Sequence, residues 1–184
     1  MARKHFSRTE RLPSKEILST LLKYDPETGK LFWLARSGSE RVEYMWNVAH
    51  AGKEAFTYKS PDGYLHGRIC DIGARAHRVI WKMVHGDEPA EIDHINGKRD
   101  DNTLSNLRRV TATENRRNSC VRHDNVTGTP GVYWEENHNK WRARIRVNGK
   151  QLHLGRFDEK AKAIEARKKA ERDYGFHQNH GRPK

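Results

Sequence analysis

The sequence has no long apolar segment and only two cysteines, and both shortages limit what it can encode. No run approaches the roughly 18 apolar residues of a membrane-spanning helix, and the N-terminus lacks the apolar stretch of a signal peptide. Cys70 and Cys120 have no cysteine or histidine nearby at zinc-ligand spacing, so a structural zinc site is not expected. We therefore predict a cytoplasmic protein without membrane association, in which both thiols are reduced.

Hydrophobic residues are also scarce. They make up 34% of the 184 residues, while charged residues make up 33%. A chain of this composition does not favour one large core, and several small units fit it better. In some segments the apolar residues recur at the spacing of a helix, and in others they alternate with polar residues as in a strand. We therefore predict an α+β fold.

Positive charge is abundant, with a formal net charge of +12. This excess indicates a polyanionic partner, because binding to phosphates releases counterions. Residues 116–184 contain 17 Lys and Arg against 8 Asp and Glu, a net +9, whereas residues 1–115 contribute only +3. The alternative to a polyanionic partner is a basic protein whose charged surface is only solvated. The distribution predicts that the C-terminal third anchors the nucleic acid.

The N-terminal half predicts a mixed α/β lead-in to the rest of the chain. Residues 1–12 are predicted to be a basic arm that can contact phosphates, with a disordered terminus as the alternative. A helix with apolar residues at helical spacing is predicted after Pro13. A short strand is predicted at residues 31–34 and a loop at residues 35–50. Asp62-Gly63 is a hairpin signal before a strand at residues 64–69.

A second helix is predicted at residues 76–85, where Val79, Ile80, Met83 and Val84 face inward and Gly86 ends it. His77 lies on this helix. We interpret it as a hydrogen-bonded structural histidine, with a place near an active site as the alternative.

Residues 91–115 have the pattern strand, polar loop, strand and helix. The first strand contains Asp93 and His94, and the second spans residues 107–110. Thr111 and Glu114 have capping-box spacing at the helix start. Adjacent residues on a strand point to opposite faces, so the strand must twist or end near Asn96-Gly97 if Asp93 and His94 serve one site.

The polar groups of this stretch are suited to phosphodiester hydrolysis. A histidine with a near-neutral pKa can act as general base toward water. A carboxylate and an amide oxygen can bind one hard divalent cation that keeps positions open for phosphate and water. Taken singly, each residue has a simpler interpretation, such as a surface salt link or a solvent-facing side chain. Their joint spacing in a basic protein favours the catalytic interpretation.

After a polar linker at residues 120–130, the pattern predicts a three-stranded antiparallel sheet packed on one helix. The strands are expected at residues 131–135, 140–147 and 150–156, with Asn148-Gly149 as a hairpin turn. The helix is expected from an Asp158 cap to about Tyr174, with alanines on its packing side.

One face of this sheet is predicted to be basic and exposed. Arg142, Arg144 and Arg146 alternate with apolar residues, so all three point away from the core. Trp134 and Trp141 fall on the opposite, core face, which disfavours an RNA-binding protein that stacks bases on aromatics. Such a sheet can enter the major groove, where arginine reads guanine. The predicted DNA contacts are Tyr133, Lys140, Arg142, Arg144, Arg146, His153 and Arg156.

The central stretch resembles the HNH (ββα-metal) endonucleases, in particular their phage-type members. The residues that carry this resemblance are Asp93-His94-Ile95-Asn96-Gly97, Asp101-Asn102, Ser105-Asn106-Leu107-Arg108 and Thr111 through Glu114-Asn115. Three preceding segments are similar to the part before the motif in such phage proteins, namely Tyr24 through Gly29, Asp62-Gly63-Tyr64 and Ala76-His77-Arg78.

The resemblance implies a site formed by Asp93, His94, Asn106 and Asn115. It implies His94 as general base, Asp93 and Asn115 as metal ligands, and Asn106 as the residue that fixes the loop. Asn115 occupies the position of the second histidine in the His-Asn-His pattern after which the family is named. An amide oxygen ligand at this position suits Mg²⁺ or Mn²⁺ better than zinc. Asn118, one turn later, is the alternative ligand.

The C-terminal part resembles a second family, the Apetala-type (ethylene-response-factor) DNA-binding domain. Gly131-Val132, Trp141-Arg142-Ala143, Ile145, Leu154-Gly155-Arg156-Phe157 and the alanine-rich helix are the similar residues. The resemblance implies that the sheet lies in the major groove.

The two resemblances together imply a homing-type nuclease that cuts or nicks double-stranded DNA, with a monomer as the default and a dimer as the alternative. If it is phage-encoded, the host cytoplasm is its expected location. The second hypothesis is a non-catalytic DNA-binding regulator. The implied division is an arm at 1–12, a nuclease domain at 13–119 with its ββα core at about 89–119, a linker at 120–130, a DNA-binding domain at 131–177 and a tail at 178–184.

Overall fold

A computed structural model describes residues 12–118, 121 and 124–182. The chain divides into two compact units, Met1–Arg109 and Val110–Lys184, and each is considered by itself. The described part of the chain combines five α-helices with several small antiparallel sheets, which confirms the predicted α+β class. Within the described residues, no helix has the length and apolar character needed to cross a bilayer.

The first unit begins with a short helix followed by a three-stranded sheet. Helix α1 (Lys15–Leu21) starts at Ser14, whose hydroxyl accepts a hydrogen bond from the backbone N–H of Ile17. Strands β1 (Leu22–Asp25), β2 (Lys30–Trp33) and β3 (Glu54–Ala55) pair in sequence order. The buried residues of this layer include Leu18, Leu22 and Leu31. Leu12, assigned to the predicted arm, also belongs to this core.

The predicted loop at 35–50 is wrong, because Arg41–His50 forms helix α2. The helix buries none of its residues, so its sequence lacks the one-sided apolar pattern by which a helix is recognised. It is held by contacts at its side. Trp46 packs edge-on against Trp33, and Asn47 exchanges hydrogen bonds with the backbone of Arg36.

A second three-stranded sheet and one helix complete the scaffold of the first unit. Strands β4 (Tyr58–Lys59), β5 (Leu65–Ile69) and β6 (Ile72–Arg75) are antiparallel neighbours. Helix α3 (Ala76–His85) has the predicted bounds and buries Val79 and Ile80 completely. It ends at Gly86, which adopts the left-handed conformation at φ 81°.

The predicted strand–loop–strand–helix order is present. Strand β7 (Glu91–His94) pairs with β8 (Leu107–Val110), a 3-10 turn at Leu104–Asn106 precedes β8, and helix α4 (Ala112–Arg117) follows. The capping box is formed as expected, since Glu114 Oε2 accepts from the N–H of Thr111 and the Thr111 hydroxyl accepts from the N–H of Glu114.

The second unit contains the predicted sheet and helix. Strands β9 (Val132–Glu135), β10 (Lys140–Val147) and β11 (Lys150–Phe157) form an antiparallel sheet with β10 in the centre. Helix α5 (Lys160–Asp173) packs on it through Ala163, which is fully buried beside Val132 and Ala143. The predicted Asp158 cap is wrong, because Glu159 occupies the cap position and Asp158 instead pairs with Lys140 at 3.0 Å.

Several predictions concern residues outside the described part of the chain, namely most of the arm (1–11), the cysteine at 120 and the last two residues of the tail. Cys70 is exposed and makes no disulfide. The described part of the predicted linker is ordered by local hydrogen bonds, such as that from the N–H of Gly128 to Asn125 Oδ1 at 2.8 Å. The described part of the tail is held as well, since the N–H of Val121 donates to the carbonyl of Arg182.

Candidate active site

Asp93 and His94 are buried at the end of a strand, with exposed fractions of 8% and 3%. Strand β7 ends at His94, and Gly97, at φ 75°, turns the chain back so that its N–H donates to the His94 carbonyl at 2.8 Å. This is the strand end that the sequence required. Such an end frees the two neighbouring side chains from the strict alternation of a regular strand.

The Asp93 carboxylate is bound from strand β8. Arg108 donates from Nε at 3.0 Å and from Nη2 at 2.7 Å, and both hydrogen bonds reach the same oxygen, Oδ2. The pair is charge-assisted and its carboxylate side is buried. It fixes the Asp93 side chain against the neighbouring strand.

His94 is held by an amide and by aromatic rings. Its Nε2 lies 3.0 Å from Asn102 Oδ1, and its ring meets the edge of His77 at a centroid distance of 5.1 Å. Tyr64 lies 5.8 Å from His94 and 5.1 Å from His77, measured between ring centroids. Burial lowers the pKa of His94, against the opposing effect of the Asn102 hydrogen bond. Burial and the neighbouring His94 lower the pKa of His77 well below its ordinary value. His77 therefore lies in ring contact with the site residue His94.

Asn106 joins the two ends of the loop between β7 and β8. Its Oδ1 accepts from the N–H of Asn96 at 2.9 Å, and its Nδ2 donates to the carbonyl of Asp101 at 2.7 Å. Its carbonyl accepts from the N–H of Ile95. The side chain is buried and hydrogen-bonds to the backbone of the loop, so Asn106 stabilises the loop conformation.

Two arginines lie beside this group on the ring of Tyr64. The guanidinium carbon of Arg75 is 4.2 Å from the ring centroid, and that of Arg99 is 5.0 Å away. Arg75 Nη2 also contacts Asp62 Oδ2 at 3.2 Å, and Arg99 Nη1 donates to the Asp62 carbonyl at 2.7 Å. Positive charge is thus fixed near His94 within the first unit.

The two candidate ligands on and after helix α4 belong to the second unit. Asn115 is half-buried on α4. Asn118 is 2% exposed, and its Oδ1 accepts a hydrogen bond from Arg182 Nη1 at 2.9 Å. Arg182 also donates to the Asn118 carbonyl at 2.7 Å. Asn118 therefore holds the C-terminal segment of its own unit.

The available donors fit a hard cation better than zinc. In the part of the chain that is described, no three His, Cys, Asp or Glu side chains are grouped so as to hold a metal ion. The candidate set of one carboxylate and one amide oxygen matches Mg²⁺ or Mn²⁺, which retain several waters and take substrate oxygens as further ligands.

A comparison with protein-family models gives a match over the elements that form this site. Residues 74–117 match the HNH endonuclease family. This HNH segment contains Asp93, His94, Asn102, Asn106 and Asn115. The chain is also 33% identical over 79 residues to Protein 3.8 of Escherichia phage T7. That alignment covers 42% of this chain and 65% of the phage protein, just under two thirds of its length. No solved structure matches the chain.

The HNH segment ends before the sheet of the second unit, where the predicted basic face is present but partly neutralised. Glu135 Oε1 accepts from Arg142 Nη1 at 2.7 Å, and Glu135 Oε2 pairs with Arg156. These two arginines, Arg156 foremost, lower the pKa of Glu135 from its ordinary value to about 2. Arg142 and Arg156 are thus already engaged within the face.

The remaining predicted DNA contacts differ in their surroundings. Arg144 is exposed, with its guanidinium carbon 4.8 Å from the Tyr133 ring centroid. Arg146 is also exposed and donates to the Gly149 carbonyl. His153 Nδ1 accepts from Arg142 Nε at 3.3 Å. Lys140 pairs with Asp158. Arg144 and Arg146 are the exposed cations of β10.

Trp134 departs from the core placement predicted for it. It lies opposite Trp141, with a centroid distance of 5.4 Å, but it is 41% exposed and outside the core cluster. Strand β9 is an edge strand, and helix α5 packs on it less than on the central strand β10.

Sequence reasoning gave no role to three residues that contact the candidate ones. These are Asn102, Arg108 and Glu135. Glu135 had a usable signal, because it alternates in phase with Tyr133 on β9 and therefore shares the arginine face. Asn102 and Arg108 lie in the family-like stretch, but their partners depend on loop geometry and strand register.

Proposed function

We propose that this protein is a metal-dependent endonuclease that hydrolyses phosphodiester bonds in double-stranded DNA. The observation that supports it is the HNH match over a segment in which Asp93 and His94 are adjacent, buried and located where a strand ends. The histidine of this buried pair can transfer a proton. The net charge of +12 attracts the chain to a polyanion such as DNA.

In this proposal His94 is the general base. Its lowered pKa favours the neutral imidazole at physiological pH, which is the form that can accept a proton. His94 accepts a proton from a water molecule as the water oxygen attacks phosphorus and the bond from phosphorus to the 3′ oxygen breaks. Asn106 keeps the loop after His94 in place.

Asp93 and Asn115 would hold the cation. A bound Mg²⁺ or Mn²⁺ would neutralise charge on the phosphate and on the leaving oxygen. Arg108 keeps the Asp93 carboxylate oriented, since both of its hydrogen bonds reach Oδ2. Arg75 and Arg99 both lie over the ring of Tyr64, which is an aromatic neighbour of His94, and are suited to contact flanking phosphates.

The second unit would locate the DNA. We infer an Apetala-type mode of binding, in which the face of β9, β10 and β11 enters the major groove. The exposed guanidinium groups of Arg144 and Arg146 support this inference, because arginine is the commonest reader of guanine. In this proposal one HNH segment supplies one active site, so a monomer nicks one strand and a dimer would cut both. The proposed enzyme is of the homing type and acts in the cytoplasm.

The proposed activity is tested by incubating the full chain with supercoiled plasmid, with and without Mg²⁺ or Mn²⁺. We expect nicked or linear product only with a divalent cation. His94→Ala should abolish cleavage while DNA affinity stays within about twofold, since His94 is not among the predicted anchoring residues. His85→Ala is the matched control, because His85 is an exposed histidine of the same HNH segment.

The outcomes separate the two functional hypotheses. Cleavage by His94→Ala at the wild-type rate would refute the assignment of the base. Specific DNA binding by the wild-type chain without cleavage under any metal condition would favour the non-catalytic regulator.

A further inference from the structure

Asn102 is a polar residue with an exposed fraction of only 1%, located in the loop eight residues after His94. Its Oδ1 lies 3.0 Å from His94 Nε2. Its Nδ2 is buried and has no hydrogen-bond partner among the described residues. Burying an amide group whose Nδ2 donors are unpaired costs free energy that an apolar side chain would not cost, so the presence of Asn102 needs an explanation.

The backbone of Asn102 is fixed by the lead-in hairpin of the first unit. The Tyr24 hydroxyl, on β1, donates to the Asn102 carbonyl at 2.9 Å. Burial raises the pKa of Tyr24 to about 12, so the hydroxyl stays protonated and remains a donor. The turn between β1 and β2 also touches this loop, because a Cβ added to Gly29 would lie 2.6 Å from the Asn102 carbonyl carbon.

Position 29 therefore requires glycine for two reasons. It adopts φ +71°, which side chains of L-residues disfavour, and no space exists for a side chain against the Asn102 peptide. The hairpin that contains Tyr24, which precedes Asn102 by 78 residues, thus fixes the position of the Asn102 amide. The neighbouring rings of His77 and Tyr64 also restrict the His94 imidazole.

We propose that Asn102 is the positioning residue of the active site, which selects the His94 tautomer with hydrogen on Nε2 and leaves Nδ1 as the proton acceptor. The imidazole Nε2–H donates to Asn102 Oδ1, so the other ring nitrogen of a neutral histidine must lack hydrogen. The Tyr24–Gly29 hairpin then acts through Asn102, although none of its residues belongs to the predicted site. This inference rests on the proposed function, because it assigns the proton-accepting atom of the proposed base.

The direct test is the tautomer of His94 in the full chain labelled with ¹⁵N-histidine. Long-range ¹H–¹⁵N correlation spectra distinguish a protonated Nε2 from a protonated Nδ1, and His94→Gln identifies the signal. We expect hydrogen on Nε2 in the wild type, a mixture of tautomers in Asn102→Ala, and hydrogen on Nε2 again in Asn102→Asp. The aspartate keeps an acceptor oxygen at the same place.

Cleavage kinetics provide the second readout. Asn102→Ala should lower kcat by about 100-fold or more, as expected for loss of base orientation, while KM changes less than about threefold. Asn102→Asp should recover much of that loss. Tyr24→Phe, which keeps the ring but removes the hydroxyl, should give a smaller loss of kcat. It carries the test if Asn102→Ala does not fold.

Hydrogen on Nδ1 in the wild type, or a tautomer and kcat that neither Asn102→Ala nor Tyr24→Phe alters, would overturn the proposal. A protein with the expected tautomers that cleaves no DNA would instead contradict the proposed function and leave the positioning of His94 established.

Discussion

Arg108 holds Asp93 across two neighbouring strands, with Nη2 2.7 Å and Nε 3.0 Å from the same carboxylate oxygen. Arg108→Ala removes both charge-assisted hydrogen bonds from Arg108 to the buried Asp93 carboxylate and should lower the free energy of unfolding by about 1–3 kcal/mol. If Asp93 binds the metal, Mn²⁺ replaces part of the lost charge. Saturating Mn²⁺ should then raise the Tm of Arg108→Ala by more than it raises that of the wild type.

Thermal unfolding of the two proteins with and without Mn²⁺ measures this difference. Arg109→Ala is the matched control, because Arg109 is the next residue on β8 and pairs with Asp87 instead. Equal Mn²⁺ shifts in all three proteins would contradict a metal role for Asp93.

Asn115 and Asn118 are expected to respond in opposite ways to substitution by alanine. Asn115→Ala should weaken Mn²⁺ binding by about tenfold or more while stability changes little, as expected of a proposed ligand that is half-buried. Asn118→Ala should lower the free energy of unfolding by about 1–3 kcal/mol, because it removes a buried oxygen that accepts a hydrogen bond from Arg182. The same substitution should leave the affinity for Mn²⁺ unchanged. Isothermal titration with Mn²⁺ and urea unfolding measure the two effects. The reverse pattern would make Asn118 the ligand.

Glu135 limits the positive charge available on the sheet face, since it pairs with Arg142 and Arg156. Glu135→Gln should release both arginines, tighten DNA binding and steepen the dependence of log Kd on log salt concentration by about one to two units. Glu136→Gln makes the same charge change one residue away on an exposed turn and is the control. Identical slopes for the two variants would exclude a specific effect of Glu135 on this face.

The pH dependence of this cluster follows from the depressed pKa of Glu135, about 2 in the folded protein against an ordinary 4.5. A carboxyl group with a depressed folded pKa stabilises the fold above its unfolded pKa, and this contribution is lost as pH falls from about 4.5 to about 2. The ¹³C shift of the Glu135 carboxyl should therefore titrate near pH 2. Arg156→Gln should raise that midpoint and Arg146→Gln should not. A wild-type midpoint near 4.5 would contradict the ion pairs.

Local sequence patterns predicted those elements whose determinants lie within a few residues. Helix α3 and strand β10 have the bounds that periodicity gave, and the turn at Asn148-Gly149 adopts positive φ at both residues. The capping box at Thr111 is likewise a local signal. Helix α2 could not be found in this way, because an exposed helix needs no apolar stripe and is held by Trp33 and Arg36 from outside it.

The same distinction applies to the stretch around Asp93 and His94. By itself, the sequence determined that an acid and a histidine stand at the end of a short strand, that a polar loop follows, and that the basic charge lies mainly in residues 116–184. Only the tertiary structure decided that Arg108 hydrogen-bonds to Asp93 and that Asn102 contacts His94. It also decided that Tyr24 and Gly29 contact the backbone of Asn102. Strand and helix periods are properties of neighbouring residues, whereas strand register and loop closure bring together side chains whose separation along the chain gives no sign of their contact.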